Sequence, residues 1–133
     1  MRPDLDSVLI VDDDSEFRCS LSKTLSKANY KVSIAASGHE ASKLLLKTSY
    51  PLILLDMHMP EKSGLDVLKE VKEKYPASKV IMITVNGQAD MLLEAKSAGV
   101  FAFLTKPVKR KVLLRYIQQA LSHPRHGLDL PLN

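Results

Sequence analysis

Hydrophobic positions along this chain follow two different periods in turn. Short apolar runs stand at Val8-Leu9-Ile10-Val11, Leu52-Ile53-Leu54-Leu55, Val80-Ile81-Met82-Ile83 and Phe101-Ala102-Phe103-Leu104, with a mixed run at Val32-Ser33-Ile34-Ala35. Apolar runs of this length without polar alternation predict strands covered on both faces. Between them the apolar residues recur at helical spacing. Phe17, Leu21, Leu25 and Ala28 form one stripe, and Ala41, Leu44, Leu45 and Thr48 a second. Leu65, Leu68, Val71 and Tyr75 form a third, Ala89, Leu92, Leu93, Lys96 and Ala98 a fourth, and Val112, Leu113, Tyr116, Ile117, Ala120 and Leu121 a fifth. Ser37-Gly38-His39-Glu40 has the capping-box pattern, Ser63-Gly64-Leu65-Asp66 can open the next helix, and Gly99 suits the left-handed end of the fourth.

Five strand–helix units in one short chain predict a single doubly wound α/β domain, a parallel sheet with helices on both faces. Its expected limits are residues 7–122. Residues 1–6 read as an N-terminal tail, and the unpatterned residues 123–133 as a C-terminal tail or the start of a linker. In such a fold, ligands collect beyond the carboxyl ends of the strands, where the strand order switches. The residues just after each apolar run are therefore the ones to inspect.

Three acids, Asp12-Asp13-Asp14, follow the first run, and Asp56 follows the third. Thr84 follows the fourth, and Lys106-Pro107 closes the fifth. Carboxylates brought within a few ångströms repel, so either one stays protonated or a cation joins them. All-oxygen ligands in a small, incomplete set favour Mg²⁺ over Ca²⁺. A metal with open positions beside a carboxylate and an ammonium suits phosphoryl transfer: positive charge neutralises the oxygens while the carboxylate attacks in line. Each piece alone has a plainer reading. An Asp run is often a turn or a helix cap, the reading preferred for Asp14. A Lys-Pro pair is usually a loop, and a Thr ending a strand usually reflects β-propensity. Their joint placement, each directly after its own apolar run, carries the functional reading.

Composition narrows the setting. The 133 residues are 45% hydrophobic and 26% charged, values of an ordinary globular domain. No apolar run approaches a membrane span, the first residues lack a signal-peptide core, and the single Cys19 excludes an internal disulfide. A cytoplasmic location is expected. Cys19 reads as a small buried or half-buried hydrophobe. Residues 1–105 carry 13 Lys+Arg against 14 Asp+Glu, whereas residues 106–133 carry six against one. No aromatics interleave with that basic end, so it reads as a solvated helix face rather than a nucleic-acid platform. His39, His123 and His126 read as surface residues.

The quoted motifs resemble the receiver domain of two-component response regulators, over about Ser7 to Ser122. The resemblance rests on Val8-Leu9-Ile10-Val11-Asp12-Asp13, Leu54-Leu55-Asp56-Met57-His58-Met59-Pro60 with Gly64, Ile83-Thr84, and Phe103-Leu104-Thr105-Lys106-Pro107. It implies a strand order of 2-1-3-4-5. It also implies that Asp56 is the phosphoacceptor, that Asp13 is a direct Mg²⁺ ligand and Asp12 a largely water-mediated one, and that the backbone carbonyl of His58 completes the protein's share of the metal shell. Thr84 and Lys106 would bind phosphoryl oxygens, and Phe103 would turn inward on activation. Two residues depart from the family pattern. Val85 replaces the usual small residue after Thr84, and Phe103 replaces the commoner Tyr. The side chain of His58 reads as a rim group that tunes reactivity rather than as a metal ligand.

The resemblance implies a signalling switch, with self-phosphorylation and slow self-dephosphorylation, rather than an enzyme acting on other substrates. Its partners would be a sensor histidine kinase or phosphotransfer protein and an output protein or output domain. The face made by the fourth helix, fifth strand and fifth helix would serve docking or homodimerisation. A phosphatase with an aspartyl-phosphate intermediate is the enzyme alternative, but that class needs a second Asp where His58 stands. A degenerate receiver acting only as a binding module is opposed by the complete set Asp12, Asp13, Asp56, Thr84 and Lys106. No Gly-x-Gly-x-x-Gly turn or Walker loop marks a nucleotide site. Finally, Lys106 must turn back across the sheet while the chain leaves for the last helix. That reversal predicts a cis Lys106-Pro107 peptide and a helix starting near Val108, with Lys109, Arg110 and Lys111 in its first turn as a candidate contact for an acidic partner.

Overall fold

The strand-forming runs assemble as their lack of polar alternation demands, with helices on both sides. The computed structural model describes residues 7–85 and 87–122. The expected tails lie outside them. In chain order the elements are β1 (Ser7–Val11), α1 (Ser15–Lys27), β2 (Lys31–Ala35), α2 (Gly38–Lys47), β3 (Leu52–Leu55), α3 (Gly64–Lys74), β4 (Lys79–Thr84), α4 (Ala89–Ser97), β5 (Ala102–Thr105) and α5 (Arg110–Ser122). All strand pairs are parallel and the sheet order is β2-β1-β3-β4-β5, the expected 2-1-3-4-5.

Alternation along the strands divides the interior in two. Leu9, Val11, Ile53, Leu55, Val80 and Met82 face α2, α3 and α4, meeting Ala41, Leu45, Val67, Leu68, Val71 and Ala95. Val8, Ile10, Leu52, Leu54, Ile81 and Ile83 face α1 and α5, meeting Leu21, Leu25, Leu113, Ile117 and Ala120. Every residue of β3 is buried, so the strand that delivers Asp56 lies at the centre of both layers.

Several local expectations are corrected. The fifth strand starts one residue later than expected, at Ala102. Phe101 precedes it, its amide donating to the Val80 carbonyl at 2.8 Å. In α4 and its C-cap the residues packed on the core are Met91, Ala95 and Ala98; Leu93 is 63% exposed and Leu92 36%. Cys19 is exposed on α1 rather than buried. At α2, Ser37 caps the Glu40 amide, but the Glu40 carboxylate accepts from Ala36, one residue before the cap, so the reciprocal box does not close. The complete box stands instead at α3, between Ser63 and Asp66. Helix α5 begins at Arg110, so Lys109 falls just ahead of it, its carbonyl accepting from Leu113. The Lys106–Pro107 peptide is cis, as expected.

Candidate functional site

The sheet hydrogen-bond ladder runs on past the strand ends and into the candidate residues. The Asp12 amide donates to Ala35 O at 3.2 Å, Asp56 to Val11 O at 3.0 Å and Lys106 to Thr84 O at 2.7 Å. Their backbones thus continue the sheet ladder, Asp12 and Asp56 at the switch point between β1 and β3 and Lys106 beside the end of β4. Asp14 caps α1 through Glu16 and Phe17, as its preferred reading required. Gly64 presses the start of α3 onto the end of β3. Its amide donates to Met57 O at 2.9 Å, and a Cβ there would lie 2.0 Å from the Asp56 carbonyl oxygen.

Asp12, Asp13 and Asp56 converge, each offering an oxygen within 4.8 Å of the others. Asp12 is buried, and each of its carboxylate oxygens takes one donor. Its Oδ1 accepts from the Asp14 amide at 2.9 Å, its Oδ2 from Lys106 Nζ at 2.8 Å and its carbonyl from Arg18 Nη1 at 2.8 Å. Asp13 stands exposed at the mouth. Asp56 is only 6% exposed. Burial first, then the neighbouring Asp12 charge, push its carboxyl above the usual range. Lys106 and the His58 amide pull the other way without cancelling the rise. That amide makes a long contact, 3.4 Å, to Asp56 Oδ1, while His58 itself is exposed at the rim.

Thr84 is completely buried, and its Oγ1 has no hydrogen-bond partner. A buried hydroxyl without a partner is costly and rare, so it marks a place where an oxygen-rich ligand fits. Three crowded carboxylates served by one ammonium likewise fit a hard divalent cation. Phe103 is half-buried against the α2–α4 side of the core, and Val85 is 60% exposed beside the site. Two contributors escaped the sequence reading. Phe17 places its ring under Lys106, with Nζ 4.0 Å from the centroid, and Arg18 braces the Asp12 backbone. Only the position of both on the first turns of α1, directly behind the acidic run, could have signalled them.

This arrangement defines an α/β domain whose carboxyl edge gathers a buried aspartate, two acidic neighbours and an ammonium, with Thr84 ending the adjoining strand. A family model described as the response regulator receiver domain matches residues 8–118. The chain belongs to that family. It is 38% identical to the response regulator protein PilR of Pseudomonas aeruginosa over 85% of this chain and 25% of PilR. It is 34% identical to the transcriptional regulatory protein ZraR of Salmonella typhimurium over 93% of this chain and 28% of ZraR. The chain therefore spans about a quarter of the length of these curated relatives. A CheY-like receiver domain from Methanospirillum hungatei has the same fold, with a TM-score of 0.85 and 30% identity over 87% of this chain and 93% of that one.

Proposed function

We propose that this receiver domain accepts a phosphoryl group on Asp56, from a phosphohistidine of a sensor kinase or phosphotransfer protein, and signals by a change of shape. The observation that carries this reading is the convergence of Asp12, Asp13 and Asp56 within 4.8 Å of one another, beside Lys106 and the unpartnered Thr84 hydroxyl. A Mg²⁺ ion held by Asp12, Asp13, Asp56 and the His58 carbonyl would neutralise charge between the carboxylates and the incoming oxygens. An Asp56 oxygen forms the new bond to phosphorus as the donor's N–P bond breaks. Lys106 and Thr84 stabilise the transferred oxygens, Lys106 by charge and Thr84 by donating its hydroxyl proton. Water later cleaves the acyl phosphate, which makes the domain a self-resetting switch.

Movement of Thr84 toward the phosphoryl group would free space for Phe103 and bias the face of α4, β5 and α5 between two packings. That face is where an output protein, an output domain or a second copy would dock. No helix among the described residues is long and apolar enough to cross a membrane, and a cytoplasmic role suits a kinase partner. The direct test is labelling by acetyl phosphate with Mg²⁺. Label on Asp56 that disappears in Asp56→Asn is expected, and comparable labelling of the Asn variant overturns the assignment.

A further inference from the structure

The side chain of Lys106 is held by two unlike partners. Asp12 Oδ2 accepts one of its N–H groups at 2.8 Å, and the ring of Phe17 lies under the ammonium at 4.0 Å. The side chain is only 12% exposed, so most of the water that would otherwise solvate it is excluded. An ammonium has three donors. A second oxygen acceptor here would consume another of them and compete with any oxygen arriving at Asp56. An aromatic face attracts the cation through its quadrupole without accepting a conventional hydrogen bond. It therefore steadies the charge while leaving N–H groups for the ligand.

The ring is itself well placed. Phe17 lies in the first turn of α1, where the Asp14 cap accepts its amide at 3.2 Å, and its ring packs against the core layer shared by α1 and α5. A single acidic run thus supplies two of the three clustered carboxylates and the helix cap that positions the ring.

We propose that Phe17 is a positioning residue for phosphoryl transfer, its ring face holding Lys106 over the site with donors to spare. The proposal rests on the reading of Lys106 as a phosphoryl-binding group, and its test separates the two. Phosphorylation by acetyl phosphate with Mg²⁺ is followed in the full chain carrying Phe17, Phe17→Leu, Phe17→Tyr or ring-fluorinated phenylalanines at position 17. Each is made with Lys106 present and with Lys106→Met.

With Lys106 present, the rate should fall stepwise as fluorines drain the ring face, by about threefold to tenfold for Leu, and Tyr should restore it. In the Lys106→Met background these differences should vanish. In the metal-free protein, the Lys106 side-chain protons should show an upfield ring-current shift that Phe17→Leu abolishes. Fluorination barely changes ring shape, so the series keeps its meaning if the Leu variant folds poorly. A Lys106→Met protein as fast as the parent overturns the role of Lys106. A slow Lys106→Met protein combined with a flat fluorine series overturns the role of Phe17 alone.

Discussion

Lys106 Nζ lies 2.8 Å from Asp12 Oδ2, so the ammonium that closes the site is bonded to the first acidic residue rather than to Asp56. It reaches Asp56 only through its field, which lowers that carboxyl's affinity for a proton but does not offset burial and the Asp12 charge. The metal-free site is thus under-neutralised. Three carboxylates share one ammonium, and the central one resists ionisation.

Asp13 is the exposed member of the trio, and no hydrogen bond to its side chain compensates it among the described residues. Replacing it with Asn should raise the denaturation midpoint of the metal-free protein by removing like-charge repulsion. The same change should blunt the response to Mg²⁺. Saturating metal, at about 100 times its dissociation constant, stabilises a protein by about 2.7 kcal/mol. Chemical unfolding with Mg²⁺ and with EDTA measures both effects. A variant that is less stable without metal, yet equally stabilised by it, contradicts the account.

Gly64 is set by contact rather than by dihedral freedom. A methyl group would overlap the Asp56 carbonyl at 2.0 Å and Met57 Cα at 2.7 Å, both rigid backbone. Gly64→Ala should therefore cost about 3 kcal/mol or more, and slow phosphorylation as the end of β3 shifts. Denaturant titration and acetyl-phosphate kinetics read the two consequences. A loss below about 0.5 kcal/mol, the ordinary surface range, would mean that α3 yields freely.

A second ionic cluster ties α2 to α3. Lys62 Nζ pairs with Glu70 and donates to Ser42 Oγ at 2.6 Å, and that hydroxyl donates to Glu70 at 2.8 Å. Burial alone would raise the Glu70 carboxyl, but the Lys62 and Ser42 hydrogen bonds and the charges of Lys62 and Lys74 outweigh it, and the net shift is downward from 4.5. A depressed carboxyl stabilises the fold fully above its unfolded value and loses that contribution as pH falls through the folded one. Stability should therefore decline below about pH 4.5 in part through Glu70. Glu70→Gln should cost about 1 kcal/mol near neutral pH and flatten that acid limb. Parallel pH profiles for the parent and the variant would show that the pair is idle.

The fold was legible because its strongest signals are local. Apolar runs at Val8–Val11, Leu52–Leu55 and Val80–Ile83, short and regularly alternating with helical stripes, read as strands inside two layers, and site residues follow them directly. Side-chain faces on weak helices were less legible. Along α4 and its C-cap the core takes Met91, Ala95 and Ala98 and leaves Leu92 and Leu93 toward solvent, so the helix's apolar residues alone did not say which face is covered. The Glu40 carboxylate found a donor at Ala36, one residue away from the box pattern. Least legible were contacts joining distant segments. Nothing in the stretch around Phe17 announces Lys106, and nothing around Ser42 announces Glu70.

Thr84 supplies the sharpest separation between stability and signalling. Its Oγ1 is buried without a partner, a state that costs about 1–3 kcal/mol. The sheet tolerates that cost while Lys106 N bonds to Thr84 O at 2.7 Å and holds the backbone in place. Val has nearly the same shape and no hydroxyl to satisfy. Thr84→Val should therefore leave the unphosphorylated domain as stable as the parent, or more stable by about 1 kcal/mol. Yet, on the proposed function, the variant loses the hydroxyl by which Thr84 would distinguish phosphorylated from free Asp56. With a phosphoryl analogue bound, chemical-shift changes should stay near Asp56 and fail to reach Phe103 and the face of α4, β5 and α5. Thr84→Ser keeps the hydroxyl and should restore the spread. A Val variant that is clearly destabilised, or one whose α4–β5–α5 shifts match the parent's, would remove Thr84 from the switch.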